Sequence, residues 1–281
     1  MPEGHTLRRL AQHLHAAFAG SRPSVTSPQG RFEQGAALLD GQRFERAWNH
    51  GKLLFCEFAD ERTLYVHLGL IGKFPIVTVP GDAPDPAAAG PARVRIAVER
   101  DSRRTIARLY GPMTATVIEP EEVAVLLAKQ GPDPLDPDAD PQAAWAAVRA
   151  SGRSIAALLM DQKVLAGVGN VYRCEVLFRH RVNPATPGKK LKRASWDAIW
   201  ADLADLMALG VVVGRIVTDA DELQDVRAAL GRGERVPQHV ERIAYVYQRT
   251  DQPCRVCGSA IRTAVVAGRN LFWCGNCQRR H

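Results

Sequence analysis

The chain has 281 residues, 46% hydrophobic and 24% charged, a composition that excludes disordered or collagen-like polymers and is long enough for two modest cores. Lys and Arg (37) outnumber Asp and Glu (30), for a net charge of +7, and the last 41 residues hold seven arginines against Glu241 and Asp251, which points to a polyanionic partner. No stretch approaches about 18 uninterrupted apolar residues and no signal-peptide core leads the chain, so a cytoplasmic protein with six reduced cysteines is expected.

The opening MPEGHTLRRL reads first as a helix start, with Pro2 pre-setting φ and Glu3 complementing the positive helix end. It also admits a chemical reading: once Met1 is removed, Pro2 is a secondary amine with an acid beside it. Leu7, Leu10, Leu14 and Phe18 form the stripe of an amphipathic helix ending near Gly20. Between 44 and 118 the runs LLFCEF, TLYVHL, PIVTV, RVRIAV, TIARLY and TATVI predict short strands of an antiparallel sandwich. Lys52 starts a strand, where a lysine is usually solvated, and His67 ends one, where a lone histidine is usually a hydrogen-bonded structural group. Leu70 and Ile71 sit between glycines at a tip that either packs into the core or inserts into something. Residues 79–92, rich in Pro, Gly and Ala, predict a mobile loop.

From Glu121 the pattern becomes helical, through EEVAVLLAKQ, PQAAWAAVRA, SIAALLMDQ, VYRCEVLFRH and SWDAIWADLADLMALG, with a Pro/Asp-rich stretch at 131–141. The expected organisation is a β-sandwich domain at 1–120, a linker at 121–140, a helical domain at 141–230, a flexible loop at 231–240 and a cysteine-rich end at 241–281. In AGVGN, two glycines bring backbone amides within reach of a ligand and Asn170 stands where it could cap the next helix, although such a turn is often only a turn. Cys254, Cys257, Cys274 and Cys277 form C-x2-C pairs sixteen residues apart, the spacing of one four-thiolate zinc that is coordinatively closed and therefore structural. The insert carries Arg262 and Arg269 on a predicted β-ribbon, either as solvated charges or aimed at phosphates. Cys56 and Cys174 read as small core hydrophobes.

Taken in order, PEG after Met1, GK at 51–52, HLGLIG at 67–72, GPDPLDP at 131–137, LAGVGN at 165–170 and the finger with GRNLFWCGNCQ resemble the formamidopyrimidine-DNA glycosylase/endonuclease VIII family of base-excision repair enzymes. The resemblance runs from end to end. It implies an α+β multidomain fold: an antiparallel β-sandwich flanked by an N-terminal helix, then a helix-two-turn-helix domain with a zinc-ribbon hairpin. It implies a bifunctional glycosylase and abasic-site lyase in which Pro2 attacks C1′ of the damaged nucleotide, Glu3 protonates the sugar ring oxygen, and Lys52, His67, Asn170 and Arg269 grip phosphates. Leu70 and Ile71 would fill the gap left by base eversion, and Arg108 with Tyr110 would be a further void-filling segment. The implied partner is damaged DNA, bound by a monomer, with no membrane. His5 and Thr6 stand where many relatives place Pro-Glu, so a second carboxylate near the nucleophile is missing. PEG leans toward the endonuclease VIII branch and oxidised pyrimidines, whereas HLGL looks more like the branch acting on 8-oxoguanine and formamidopyrimidines. The competing expectations are an abasic-site lyase with weak base excision and, from another class, a non-enzymatic zinc-ribbon DNA-binding protein.

Overall fold

The computed structural model describes residues 2–85, 90–234, 236 and 243–279. The chain divides into two compact units, Met1–Lys129 and Gln130–His281.

In the first unit, α1 (Gly4–Phe18) turns Leu7, Ala11, Leu14 and Phe18 into the core and stops before Gly20, whose φ of +75° suits a residue without Cβ. Glu3 is the N-cap, so Pro2 lies ahead of the helix instead of in its first turn. The chain continues through β1 (Ser24–Thr26), α2 (Glu33–Leu39), β2 (Phe44–His50), β3 (Leu53–Phe58), β4 (Thr63–His67), β5 (Ile76–Pro80), β6 (Val94–Arg100), β7 (Arg103–Leu109) and β8 (Thr114–Ile118). The strands form two antiparallel four-stranded sheets, ordered β1-β6-β7-β5 and β2-β3-β4-β8. Inward residues of both, among them Val25, Ile96 and Leu109 from one and Phe44, Leu54 and Leu64 from the other, share one core with α1. This is the sandwich that period-2 alternation predicts.

β3 is buried on both faces. Its second face, Leu53 and Phe55, packs with Ile118 against Val123, Leu126 and Leu127. Those residues belong to α3 (Pro120–Leu127), which starts where Glu122 accepts the Glu119 N–H at 3.1 Å, so the stretch expected as a linker opens with a docked helix.

The second unit contains α4 (Pro141–Arg149), α5 (Ile155–Leu158), α6 (Asn170–Arg179), α7 (Arg193–Val213) and α8 (Ala220–Gly231), then a hairpin of β9 (Ile261–Val266) and β10 (Arg269–Cys274). The chain is more regular beyond Gly210 than its pattern suggests. α7 runs on to Val213, ends at Gly214 with φ +78°, and is followed by α8, whose N-cap Asp219 accepts the Glu222 N–H. α6 is buried from Asn170 to Phe178 and forms the axis of the unit. Trp196, Leu203 and Phe178 share a core with Ile261, Leu271 and Cys274 of the hairpin.

One buried carboxylate fixes the segment leading to the hairpin. Glu175 of α6 accepts the backbone N–H groups of Tyr245, Val246 and Tyr247 at 2.8, 2.9 and 2.9 Å, and the Thr218 hydroxyl at 2.9 Å. Residues 235 and 237–240 of the 231–240 loop, and 86–89 within the 79–92 loop, lie outside the described residues. No helix among the described residues is long and apolar enough to cross a membrane.

Candidate active site

An open cleft of about 790 Å3 in the first unit is lined by Pro2, by Thr6, Arg9, Leu10 and His13 of α1, and by Leu68, Leu70, Ile71, Lys73 and Phe74. The helical spacing of Thr6, Arg9, Leu10 and His13 makes them one face of α1, flanking the core face, and Leu10 also packs against the core. Pro2 is placed by the helix start immediately behind it: the Glu3 carbonyl accepts the Thr6 and Leu7 N–H groups at 2.9 and 3.3 Å. Glu3 itself is fully buried, so an acid stands in the protein interior directly after the proline. His5 is buried and its Nε2 lies 3.2 Å from Thr6 Oγ1, which puts a hydroxyl, not a carboxylate, on the cleft wall next to Pro2.

The apolar tip is exposed, not packed into the core. Leu70 and Ile71 are 50% and 79% exposed, held between the buried anchors Leu68 and Phe74. Gly72 closes the turn by donating to the Leu68 carbonyl at 3.1 Å, and a Cβ there would stand 2.3 Å from that oxygen. Met113, 67% exposed, packs its Cβ against Gly69 and donates its N–H to the His67 carbonyl at 2.8 Å. It is a third apolar group at the tip. Its isolated position in GPM gave no sequence signal.

Lys52 occupies the β2–β3 turn and His67 the end of β4, and neither lines the Pro2 cleft. Burial, and then the positive charge of Lys52, hold the His67 imidazole below its ordinary pKa, so it is neutral at pH 7. Its Nδ1 accepts the Gly69 N–H at 3.1 Å, which assigns the ring proton to Nε2 and makes that nitrogen a donor. Arg108 lies on β7 opposite Arg95 of β6, and both guanidiniums hold the same buried carboxylate, Asp85, with Arg95 at 2.9 Å. Burial alone would raise Asp85, but the hydrogen bonds from Arg95 and Arg108 keep it below the usual carboxylate range. Two like charges directly across a ladder need such a counter-ion. Arg108 is not among the residues lining the Pro2 cleft, although its N–H donates to the carbonyl of the cleft residue Pro75 at 3.0 Å.

In the second unit, the AGVGN turn is organised by Gln162, whose Oε1 accepts the Gly167 N–H and whose Nε2 donates to the Val168 carbonyl, both at 3.0 Å. Gly169, not Asn170, is the N-cap of α6. The Asn170 side chain turns to the hairpin instead: Nδ2 donates to the Asn270 carbonyl at 2.9 Å and Oδ1 accepts from the buried Arg173, whose Nη1 reaches the Val266 carbonyl at 3.1 Å. Arg269 lies between these two anchored carbonyls, at the end of a tight turn in which Ala267 and Gly268 both have positive φ, 52° and 69°. Asn170 and Arg269 are therefore brought to one structural node. Arg262 is further down β9, its guanidinium lying across Gly275, where a Cβ would come within 2.6 Å of it.

The four cysteine sulfurs all lie within 4.8 Å of one another, with Cys254 to Cys277 at 3.9 Å and Cys257 to Cys274 at 3.5 Å. A tetrahedron with Zn–S bonds of about 2.3 Å has edges of about 3.8 Å, so the four thiols fit zinc. Cys56 and Cys174 are fully buried, and burial pushes both thiols up to about 12.

Comparison with known proteins agrees with this layout. Residues 1–110 match the formamidopyrimidine-DNA glycosylase N-terminal domain, 130–221 the formamidopyrimidine-DNA glycosylase H2TH domain, and 251–280 a zinc finger found in FPG and IleRS. A Mycobacterium tuberculosis protein named Endonuclease 8 1 is 45% identical over 278 residues, covering 99% of this chain and 100% of its own. A formamidopyrimidine-DNA glycosylase of Methylococcus capsulatus is 32% identical over 289 residues, covering 99% of each. Among solved structures, Lactococcus lactis formamidopyrimidine-DNA glycosylase bound to DNA containing an AP site superposes with a TM-score of 0.74 at 23% identity, covering 99% of this chain and 100% of that one, which shows the shared fold.

Proposed function

The chain belongs to the formamidopyrimidine-DNA glycosylase/endonuclease 8 family and is a DNA glycosylase and AP lyase; from that premise we propose that it excises oxidised pyrimidines from damaged DNA through Pro2. With Met1 removed, the Pro2 nitrogen attacks C1′ as the base departs, and Glu3 protonates the sugar ring oxygen so that the ring opens. A secondary amine gives an iminium, whose fixed positive charge acidifies the 2′ hydrogen. Loss of that proton expels the 3′ phosphate by β-elimination, and δ-elimination then releases the 5′ phosphate. An α-amino nitrogen titrates near about 8, so an unprotonated fraction exists at pH 7.

The observation that carries this reading is the cleft itself: Pro2 on its wall, Glu3 buried directly behind, and Leu70 and Ile71 exposed at its edge. An apolar wedge of this kind suits a gap left by an everted base. Lys52, together with the neutral Nε2–H of His67, grips phosphates in this reading. So do Arg269 and the second Nδ2 hydrogen of Asn170. Arg108, which donates to Asp85, keeps with Tyr110 the void-filling role in this reading. One zinc, held by Cys254, Cys257, Cys274 and Cys277, keeps the hairpin folded and has no chemical step. The protein acts as a monomer on DNA in the cytoplasm.

The pyrimidine preference rests on the PEG start, which leans toward the endonuclease VIII branch, and is supported by 45% identity to a protein named Endonuclease 8 1. It is tested by single-turnover excision from duplexes carrying thymine glycol, dihydrouracil, 8-oxoguanine or a bare abasic site. Faster release of the two pyrimidine lesions is expected. Faster release of 8-oxoguanine would replace the pyrimidine reading, cleavage of the abasic site alone would leave a lyase, and binding without cleavage would leave a DNA-binding protein.

A further inference from the structure

Next to the hairpin tip, a recess of about 200 Å3 is lined by Arg153, Ala157, Met160, Asp161, Ala267 and Arg269. Two arginines from segments more than a hundred residues apart thus share one small cavity. Neither is loosely placed. The Arg269 backbone is fixed by its tight turn and by the two flanking carbonyls held by Asn170 and Arg173. Arg153 lies just ahead of α5. Its N–H donates to Ser151 Oγ at 3.2 Å, its carbonyl accepts the Gly188 N–H at 2.9 Å, and its Nη1 donates to Asp161 Oδ2 at 2.7 Å. Asp161 is in turn held by the Lys163 N–H at 3.1 Å.

We propose that Arg153 and Arg269 form one clamp for a single backbone phosphodiester of DNA, with Asp161 orienting Arg153. The charges select this ligand. Two guanidiniums and one carboxylate leave a lining of net +1, the complement of the single negative charge on a phosphodiester. A guanidinium has five N–H donors in a planar fork, so Arg153 bonded to Asp161 through Nη1 retains donors for a second anion. The clamp reads no base, because phosphate contacts position a protein without specifying sequence. It rests on the reading of Arg269 as a DNA contact and adds Arg153 to it.

The test is the salt dependence of binding to a duplex carrying a tetrahydrofuran abasic analogue, measured by fluorescence anisotropy between 50 and 200 mM salt. The wild type is compared with Arg153→Ala, Arg269→Ala and the double variant, each checked by circular dichroism and zinc content. Each phosphate contact contributes about 0.9 to the slope of log K against log salt. The clamp predicts that each single variant lowers the slope by about 0.9 and that the double variant lowers it by no more than either single one, since all three lose the same phosphate. Additive losses in the double variant mean two separate phosphates and overturn the clamp. An unchanged slope for Arg153→Ala beside a reduced slope for Arg269→Ala overturns the clamp and leaves the hairpin contact standing. If neither variant changes the slope, both readings fail.

Discussion

His67 shows how a single residue acquires its role from its surroundings. Its Nδ1 is committed to the Gly69 N–H, so only the neutral Nε2–H tautomer keeps the turn intact while presenting a donor. With the folded pKa held below 6.5, the folded protein binds fewer protons than the unfolded chain as pH falls below 6.5, so this histidine costs stability on acidification and none above it. A titration followed by NMR is expected to place the His67 midpoint below 6.5, and Lys52→Ala to move it upward by part of the shift, the remainder being due to burial. A midpoint at 6.5 or above contradicts the assignment. Leu70 and Ile71 permit a second check. Alanine at both positions is expected to slow base excision from duplex DNA at least tenfold and to leave excision from a single strand nearly unchanged, because only a duplex has a gap to fill. Equal slowing on both substrates would remove the wedge role. The exposed tip was legible in HLGLIG, as an apolar pair between glycines, whereas the choice between burial and insertion required the observed exposure of Ile71.

Among the elements, α6 carries the largest share of organisation per residue. Glu175 gathers three backbone N–H groups and a hydroxyl from segments 43 to 72 residues away. Removing the carboxylate strands those donors, and each buried unsatisfied group costs about 1–3 kcal/mol. Glu175→Ala is therefore expected to destabilise the second unit by about 3 kcal/mol or more in urea unfolding followed by tryptophan fluorescence, with Glu175→Gln less affected because one oxygen acceptor remains. A loss below about 1 kcal/mol would show that the segment holds itself. Local periodicity revealed α1 and most strands, since those elements announce themselves by neighbours two, three or four residues apart, and the spacing of the two cysteine pairs revealed the hairpin. α8 was not singled out in the sequence, although Leu223, Val226 and Leu230 keep helical spacing and Asp219 with Glu222 carried a capping signal. The Asn170–Asn270 and Arg153–Arg269 relations span a hundred residues or more and leave no local trace.

The whole molecule consists of a unit that presents Pro2 in a cleft and a unit that carries a basic hairpin. Zinc removal separates the two contributions. Ile261, Leu271 and Cys274 belong to the core of the second unit, so chelation is expected to lower the unfolding midpoint of that unit, make four thiols reactive and reduce the salt slope of DNA binding without removing it, since Lys52 and His67 stay in place. An unchanged midpoint with the metal gone would mean that the hairpin folds without it. The central claim is that Pro2 is the nucleophile, and borohydride trapping on a duplex with a bare abasic site tests it most directly. Protein with Met1 removed is expected to form a covalent complex, and the same protein with residues retained ahead of Pro2 is expected to form none while still binding DNA. A complex that persists with the N-terminus blocked, or its absence when Pro2 is free, contradicts the account.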